Sequence, residues 1–200
     1  MCFRHFYPPG KADLMPKSLF VMIATCVLLV ACHHQPSNPT PEIRAVNDFY
    51  QAVFSLKRGG MPSRPEIERL SPYISESFRA NLLAALEAEA RAFSQTQGKE
   101  PPLVQGALFY SLFEGADRLL SIKPDPGAAA HAYLVELEYG PPSDPRQQTR
   151  WQDRATLKQE GDRWVVDDIE LLGNWSFGAK GKLSGILRSV ATFDAPAGKQ

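Results

Sequence analysis

The segment from residue 151 to residue 172 constrains the fold of this chain more than any other. One face of its first half carries Trp151, Asp153, Ala155 and Leu157, and the other face carries Arg150, Gln152, Arg154, Thr156 and Lys158. Such period-two alternation is typical of an antiparallel strand with one face buried. Gly161 and Asp162 supply the permissive backbone of a tight turn. The segment therefore predicts a β-hairpin whose apolar face the rest of the chain covers.

Two amphipathic helices are predicted before this hairpin. Thr40, Pro41 and Glu42 provide the cap, first-turn proline and acidic residue of a helix start, and Gly59-Gly60 ends the run. Its apolar residues at helical spacing are Ile43, Val46, Phe49, Tyr50, Val53 and Phe54. Ser75 is expected to cap the second helix, whose apolar stripe is Phe78, Leu82, Leu86, Ala90 and Phe93. Residues 61–69 between them are predicted to be a loop with one helical turn at most.

Strands follow the helices. Predicted strands cover residues 108–113, 119–122 and 131–139, the last with Tyr133, Val135, Leu137 and Tyr139 facing inward. A short closing helix is predicted from Leu183, Ile186, Leu187 and Val190. Helices first and strands afterwards predict an α+β fold, with N-terminal helices packed on a curved antiparallel sheet and a short C-terminal helix.

The N-terminus has the order of a secretory signal. Lys17 precedes an apolar run over residues 18–31, which is too short for a membrane span, and Cys32 follows Ala31. Leu29-Val30-Ala31-Cys32 resembles the bacterial lipobox, in which the cysteine receives the lipid. We therefore expect a signal peptide at 1–31, a tether at 32–40, one domain at 41–192 and a tail at 193–200. Met1 and Met15 are alternative starts.

The resemblance to a lipobox also implies a cellular location. His33 stands where an inner-membrane retention signal carries Asp, so we expect anchoring in the outer membrane, facing the periplasm. Lysine plus arginine number 22 and aspartate plus glutamate also 22. Without a basic excess, no nucleic-acid partner is expected. Cys2 and Cys26 would leave with the signal, which leaves no disulfide.

Four motifs in a fixed order resemble the nuclear-transport-factor-two-like superfamily, which has a cone-shaped, cystatin-like α+β fold. They are Asp48-Phe49-Tyr50, the segment 70–75 (LSPYIS), the segment 111–115 (SLFEG) and the segment 161–169 (GDRWVVDDI). More narrowly, the chain is similar to uncharacterised bacterial envelope proteins of that superfamily, many of them lipoproteins. Such folds have a cavity between helices and sheet that serves catalysis, ligand binding or dimerisation, so the fold leaves the function open.

The candidate ligand-pocket residues are Tyr50, Tyr110, Trp151, Asp153 and Asp168. A carboxylate among apolar neighbours is suited to proton abstraction, with a tyrosine as hydrogen-bond donor. The alternative, which we prefer, places Asp153 at the sheet rim in a salt bridge and makes Asp167-Asp168 a bulge or strand end. No catalytic residue is therefore assigned.

Metal and nucleotide sites are not expected. His131 begins a strand and is interpreted as an edge residue, and His33-His34 as part of the tether. The segment 178–184 has Leu183 where a phosphate loop needs Ser or Thr. We predict no cofactor and no metal.

Trp175 and Phe177 lie between glycines and are the candidate partner surface. The alternative is that both rings fold back to close the open end of the fold. We expect a non-enzymatic, lipid-anchored binding module for a protein partner or small ligand, with homodimerisation open. The alternatives are an immunity protein against a secreted antibacterial toxin, a structural brace, or a cavity isomerase or hydrolase using Asp153 or Asp168.

Overall fold

A computed structural model describes residues 38–56, 59–176 and 178–193. The predicted signal peptide, Cys32, Phe177 and most of the predicted tail lie outside the described residues. The helices are α1 (Pro41–Phe54), α2 (Arg64–Leu70), α3 (Glu76–Thr96) and α4 (Leu183–Ala191). The strands are β1 (Arg118–Pro124), β2 (Ala132–Tyr139), β3 (Thr149–Glu160), β4 (Arg163–Leu171) and β5 (Gly181–Lys182). A short 3₁₀ helix, Pro145–Gln147, precedes β3.

The strands form one five-stranded antiparallel sheet in sequence order, β1-β2-β3-β4-β5. The predicted β3–β4 hairpin is confirmed, and Gly161 in its turn has a φ of 60°, a value that favours glycine. The predicted inward face of β3 is also confirmed, since Trp151, Asp153, Ala155 and Leu157 are all buried. The fold is therefore α+β, with a short C-terminal helix.

Helix α1 begins as the sequence predicts. The Thr40 side chain accepts a hydrogen bond from the Ile43 backbone N–H at 3.3 Å, and Pro41 occupies the first turn. Its buried face, Val46, Phe49, Tyr50 and Val53, packs on the sheet. This helix covers the apolar side of β3 and β4.

Two helical predictions are corrected. Residues 61–69, predicted as mostly loop, contain the two turns of α2, which begins with a capping box between Ser63 and Glu66. In α3 the buried stripe is Phe78, Leu82, Ala85, Ala88 and Ala92. Ala90 and Phe93, which the sequence placed inward, are exposed, because α4 packs against a different face of α3.

The predicted strand at 108–113 is wrong. These residues form an irregular loop in which Leu108, Phe109, Tyr110 and Leu112 are buried. The loop folds on itself through a hydrogen bond from the Ala107 N–H to the Phe113 carbonyl at 2.8 Å. A short run of apolar residues is compatible with a buried loop as well as with a buried strand. Hydrophobic periodicity alone does not distinguish the two structures.

No helix among the described residues has the length and apolar character needed to cross a membrane.

Candidate functional site

Asp153 lies on the inward face of β3 with no exposed surface. One carboxylate oxygen accepts hydrogen bonds from the Ser111 N–H at 3.0 Å and the Trp151 indole N–H at 2.9 Å. The other accepts the Leu172 N–H at 3.0 Å and the Ser111 hydroxyl. Four donors thus surround one carboxylate, and none of them is a cation. The expected salt bridge at the sheet rim is therefore wrong for Asp153.

Ser111 connects this carboxylate to a second chain segment. Its hydroxyl donates to Asp153 and accepts the Gly173 N–H at 2.9 Å. Backbone groups of Ser111, Leu172 and Gly173 are thereby satisfied below the surface, as buried polar groups require. Asp153 fixes the loop before β1 to the segment after β4. The two oxygens of its carboxylate are engaged by these four hydrogen bonds.

Tyr50 and Tyr110 lie in a packed aromatic cluster next to this site. The rings of Tyr50 and Tyr110 have centroids 6.1 Å apart, and Phe54 stacks on Tyr110 at 6.3 Å. Burial raises the pKa of Tyr50 well above its ordinary value of 10.0, and the charge of Asp153 adds to the effect. Within the described chain, the Tyr50 hydroxyl is buried without a hydrogen-bond partner.

Little space remains between α1 and the 108–113 loop. The cavity there measures about 30 Å³ and is lined by side chains of α1, Leu108, Phe109 and Tyr110, with Gly59 and Gly60 at its edge. That volume suits a single water rather than an organic substrate. Of the five candidate pocket residues, only Tyr110 lines this cavity within the described chain.

Asp168 and its neighbour Asp167 occupy a bulge of β4. Thr156 pairs with Asp168 while Leu157 pairs with Val166, so Asp167 is the extra residue. Asp168 accepts hydrogen bonds from the Ser184 N–H at 2.9 Å and the Ser184 hydroxyl at 2.6 Å, at the start of α4.

Asp167 has the same role at a second helix. It accepts hydrogen bonds from the Ser77 hydroxyl at 2.8 Å and the Ser75 hydroxyl at 2.5 Å, at the start of α3. Carboxylates stabilise helix N-termini, where backbone N–H groups and the helix dipole are positive. The bulge interpretation of Asp167-Asp168 is confirmed, and it docks two helices on the sheet.

An open depression lies at the end of the sheet where β3 begins and β4 ends. We call it the tryptophan groove. It has a volume of about 460 Å³ and is lined by Arg150, Trp151, Gln152, Leu172, Gly173, Asn174 and Trp175. Trp175 folds back, edge to face, on Trp151 with a centroid distance of 5.6 Å. The alternative prediction had both Trp175 and Phe177 fold back; the fold-back of Trp175, which is half-buried, agrees with it, and Phe177 lies outside the described residues.

Gly173 makes this arrangement of Trp175 possible. A Cβ atom at position 173 would overlap the six-membered ring of Trp175 and lie 2.5 Å from the Ser111 Cβ. The absence of a side chain therefore lets the indole lie directly against the backbone. The floor of the groove is shaped by Gly173 and by Asp153, which acts through its hydrogen bonds with Leu172 and Ser111.

A charged cluster borders the groove on the outward face of the sheet. Glu138 is 2% exposed and accepts from the Arg150 Nε at 2.6 Å and from the Arg118 Nε at 2.7 Å. Its hydrogen bonds to Arg150 and Arg118, in that order, lower the pKa of Glu138 below 4.5. Two guanidinium groups share this one carboxylate, and the Arg150 side chain stays 60% exposed.

His131 lies at the opposite end of the sheet. Its ring contacts Trp164 with a centroid distance of 4.4 Å, and the residue is exposed. Among the described residues, no three His, Cys, Asp or Glu side chains are arranged to hold a metal ion.

Sequence reasoning missed two parts of this region. Ser111 was placed in a strand, and nothing local in the sequence indicates that it meets Asp153, which is 42 positions away. Arg150 and Leu172 flank the predicted hairpin, but only the three-dimensional arrangement shows that they share a groove with Trp175.

Comparison with known proteins finds no family model that matches the chain and no significantly similar curated protein.

Proposed function

We propose that this protein is a lipid-anchored envelope protein that faces the periplasm and acts as a non-enzymatic binding module. The tryptophan groove is its binding surface. The observation that carries the proposal is the contrast between this open groove of about 460 Å³ and the cavity of about 30 Å³ between α1 and the 108–113 loop. An occupant of the groove would meet Trp175 and Arg150 without any rearrangement of the core.

The anchoring part of the proposal is supported by the sequence at Cys32. Residues 29–32 have the lipobox order, and residues 33–40 are short, polar and rich in proline, as expected of a tether. Acylation at Cys32 would hold the domain at the membrane surface through that tether.

The non-enzymatic part is supported by the bonding of the two candidate bases. Asp153 binds four neutral donors, and Asp168 binds the first turn of α4. A general base must lie within hydrogen-bond distance of the substrate proton that it removes. Removal of either carboxylate from its present partners would expose unpaired groups in the protein interior.

We further propose that the fold belongs to the nuclear-transport-factor-two-like superfamily. The order of α1, a helical pair and an antiparallel meander supports it, as do the positions of the four motifs. The buried rings of Phe49, Tyr50, Phe109 and Tyr110 pack together, which supports binding at an external groove instead.

The test combines anchoring and binding in a bacterial host. Metabolic labelling with an alkynyl fatty acid should label the wild-type protein in the outer-membrane fraction, and Cys32→Ser should abolish the label. In-cell cross-linking with the lipidated protein as bait should then enrich a binding partner or ligand. A Trp175→Ala variant should lose it, whereas Phe93→Ala, a matched exposed aromatic on α3, should keep it. Unlabelled protein recovered from the cytoplasm would overturn the localisation.

A further inference from the structure

We propose that the tryptophan groove binds a carboxylated sugar of an extracytoplasmic polysaccharide. The inference deepens the binding function proposed above and rests on it. It depends on the composition of the groove and on the charge beside it.

The lining of the groove matches the two-sided chemistry of a sugar ring. A pyranose presents C–H groups on its faces and hydroxyl groups around its rim. In the groove, Trp175 and Leu172 provide the apolar contact, and Leu172 is 38% exposed. Gln152 is an exposed planar amide that offers both a donor and an acceptor to hydroxyl groups. Asn174 is also exposed and offers its amide N–H groups, while its carbonyl oxygen accepts a hydrogen bond from Lys180 Nζ at 3.0 Å.

The same lining is a poor match for a protein hot spot. Such sites bury a large aromatic or aliphatic anchor in a deep pocket that is shielded from water. Here Trp151 is 7% exposed, and the ring of Trp175 already packs on it. The lining places the apolar Trp175 and Leu172 beside the polar side chains of Gln152 and Asn174, a combination that suits a sugar ring held by hydrogen bonds.

Charge decides between neutral and acidic sugars. Among the described residues that line the groove, Arg150 alone carries a charge. Glu138 holds the Arg150 Nε at 2.6 Å, so the guanidinium is oriented before any ligand arrives. Arg118 shares the same carboxylate through its Nε at 2.7 Å, and the Arg150 side chain stays 60% exposed. A carboxylate is the group that a guanidinium fork recognises best.

The polymer follows from the proposed location of the domain. A lipid-anchored domain that faces the periplasm meets extracytoplasmic polysaccharides, so the acidic sugar is assigned to such a polymer.

The test is a fluorescence and calorimetric titration of the mature lipoprotein in detergent micelles with two matched sugar pairs. One pair is glucuronic acid and glucose, as methyl glycosides, and the other is N-acetylmuramic acid and N-acetylglucosamine. We expect the acidic member of at least one pair to bind about tenfold more tightly than its neutral twin, because a charged hydrogen-bonded pair is added.

Three variants sharpen the result. Arg150→Gln should remove the preference for the acidic sugar, while Arg118 still pairs with Glu138 and preserves the fold. Arg150→Lys should restore part of the preference. Arg154→Gln is the matched control, because Arg154 is an outward arginine of the same strand that binds Asp125 and Glu170 away from the groove. It should leave the preference unchanged.

Two outcomes overturn the inference. One is the absence of saturable binding by any of the four sugars, and the other is equal binding of acidic and neutral sugars that Arg150→Gln does not change. If sugars fail while a protein is cross-linked through Trp175-dependent contacts, the sugar inference falls and the binding function stands. If the protein is not lipidated, the anchoring proposal fails irrespective of the sugar result.

Discussion

The two faces of the sheet hold buried carboxylates in opposite ways. On the inward face, Asp153 accepts hydrogen bonds from neutral donors: two backbone N–H groups, an indole and a hydroxyl. On the outward face, Glu138 accepts from two arginines. The inward carboxylate organises chain segments that are distant in sequence, whereas the outward one orients cations at the surface.

This difference separates the structural role from the binding role. A carboxylate saturated by backbone donors fixes loops and is costly to change. A carboxylate that holds arginines at the surface leaves positive charge available to a ligand. Asp153 therefore shapes the floor of the tryptophan groove, and Glu138 prepares its charged edge.

The largest effect is expected from removal of the inward carboxylate. Asp153→Ala leaves two backbone N–H groups and the Trp151 indole unpaired in the interior, at roughly 1–3 kcal/mol each. We expect a loss of about 3–5 kcal/mol in the free energy of unfolding, measured by urea denaturation. Asp162→Asn, in the exposed hairpin turn, is the control. A loss for Asp153→Ala as small as that of the control would contradict the structural role.

Gly173→Ala should have the next largest effect. The added Cβ overlaps the Trp175 ring, so the ring or the backbone must move, at a cost of about 1–3 kcal/mol. Tryptophan fluorescence should shift as Trp175 leaves Trp151. Gly185→Ala is a control of opposite sign, because open space surrounds this position of α4 and alanine favours a helix by about 0.5–1 kcal/mol. Stabilisation by both substitutions would contradict the groove geometry.

The outward face should respond to acid. The folded-state pKa of Glu138 lies below its ordinary value of 4.5 because of Arg150 and Arg118. The stability that this carboxylate contributes is present above pH 4.5 and is lost as the pH falls through the lower folded-state pKa. We therefore expect the stability difference between wild type and Glu138→Gln to shrink below that pH.

Glu136→Gln provides the comparison for the acid experiment. Glu136 is on the same strand and accepts from the Ser121 hydroxyl at 2.9 Å instead of from an arginine. Denaturant titrations at several pH values compare the two variants. A Glu138→Gln difference that stays constant through acid conditions would show that the arginines do not depress its pKa.

The smallest effect is expected at Tyr50. Tyr50→Phe removes a buried hydroxyl for which the described chain offers no partner, so stability should stay unchanged or rise by up to about 1 kcal/mol. A loss of more than about 1 kcal/mol in Tyr50→Phe would indicate that the Tyr50 hydroxyl has a partner, such as a bound water.

Elements with strong periodicity could be predicted from the sequence, and tertiary contacts could not. The alternation at 151–157 predicted which face of β3 is buried, and Thr40-Pro41 predicted where α1 begins. The buried stripe of α3 was displaced because the choice among Ala85, Leu86 and Ala90 depends on where α4 packs. Asp153 was recognised as unusual on an apolar face, but its partner Ser111 comes from a loop whose apolar composition resembles a strand. The groove could not be predicted because its lining combines residues from the start of β3 with residues that follow the end of β4.

The most direct test of the account is site-specific photo-cross-linking in intact bacterial cells. A photoreactive residue replaces Gln152 in the tryptophan groove or Lys158, which is exposed on the same face of β3 at the opposite end of the sheet. The account predicts a specific adduct from position 152 that Arg150→Gln or Trp175→Ala removes, and no such adduct from position 158. A specific adduct from position 158 alone, or one from position 152 that survives both variants, would contradict it.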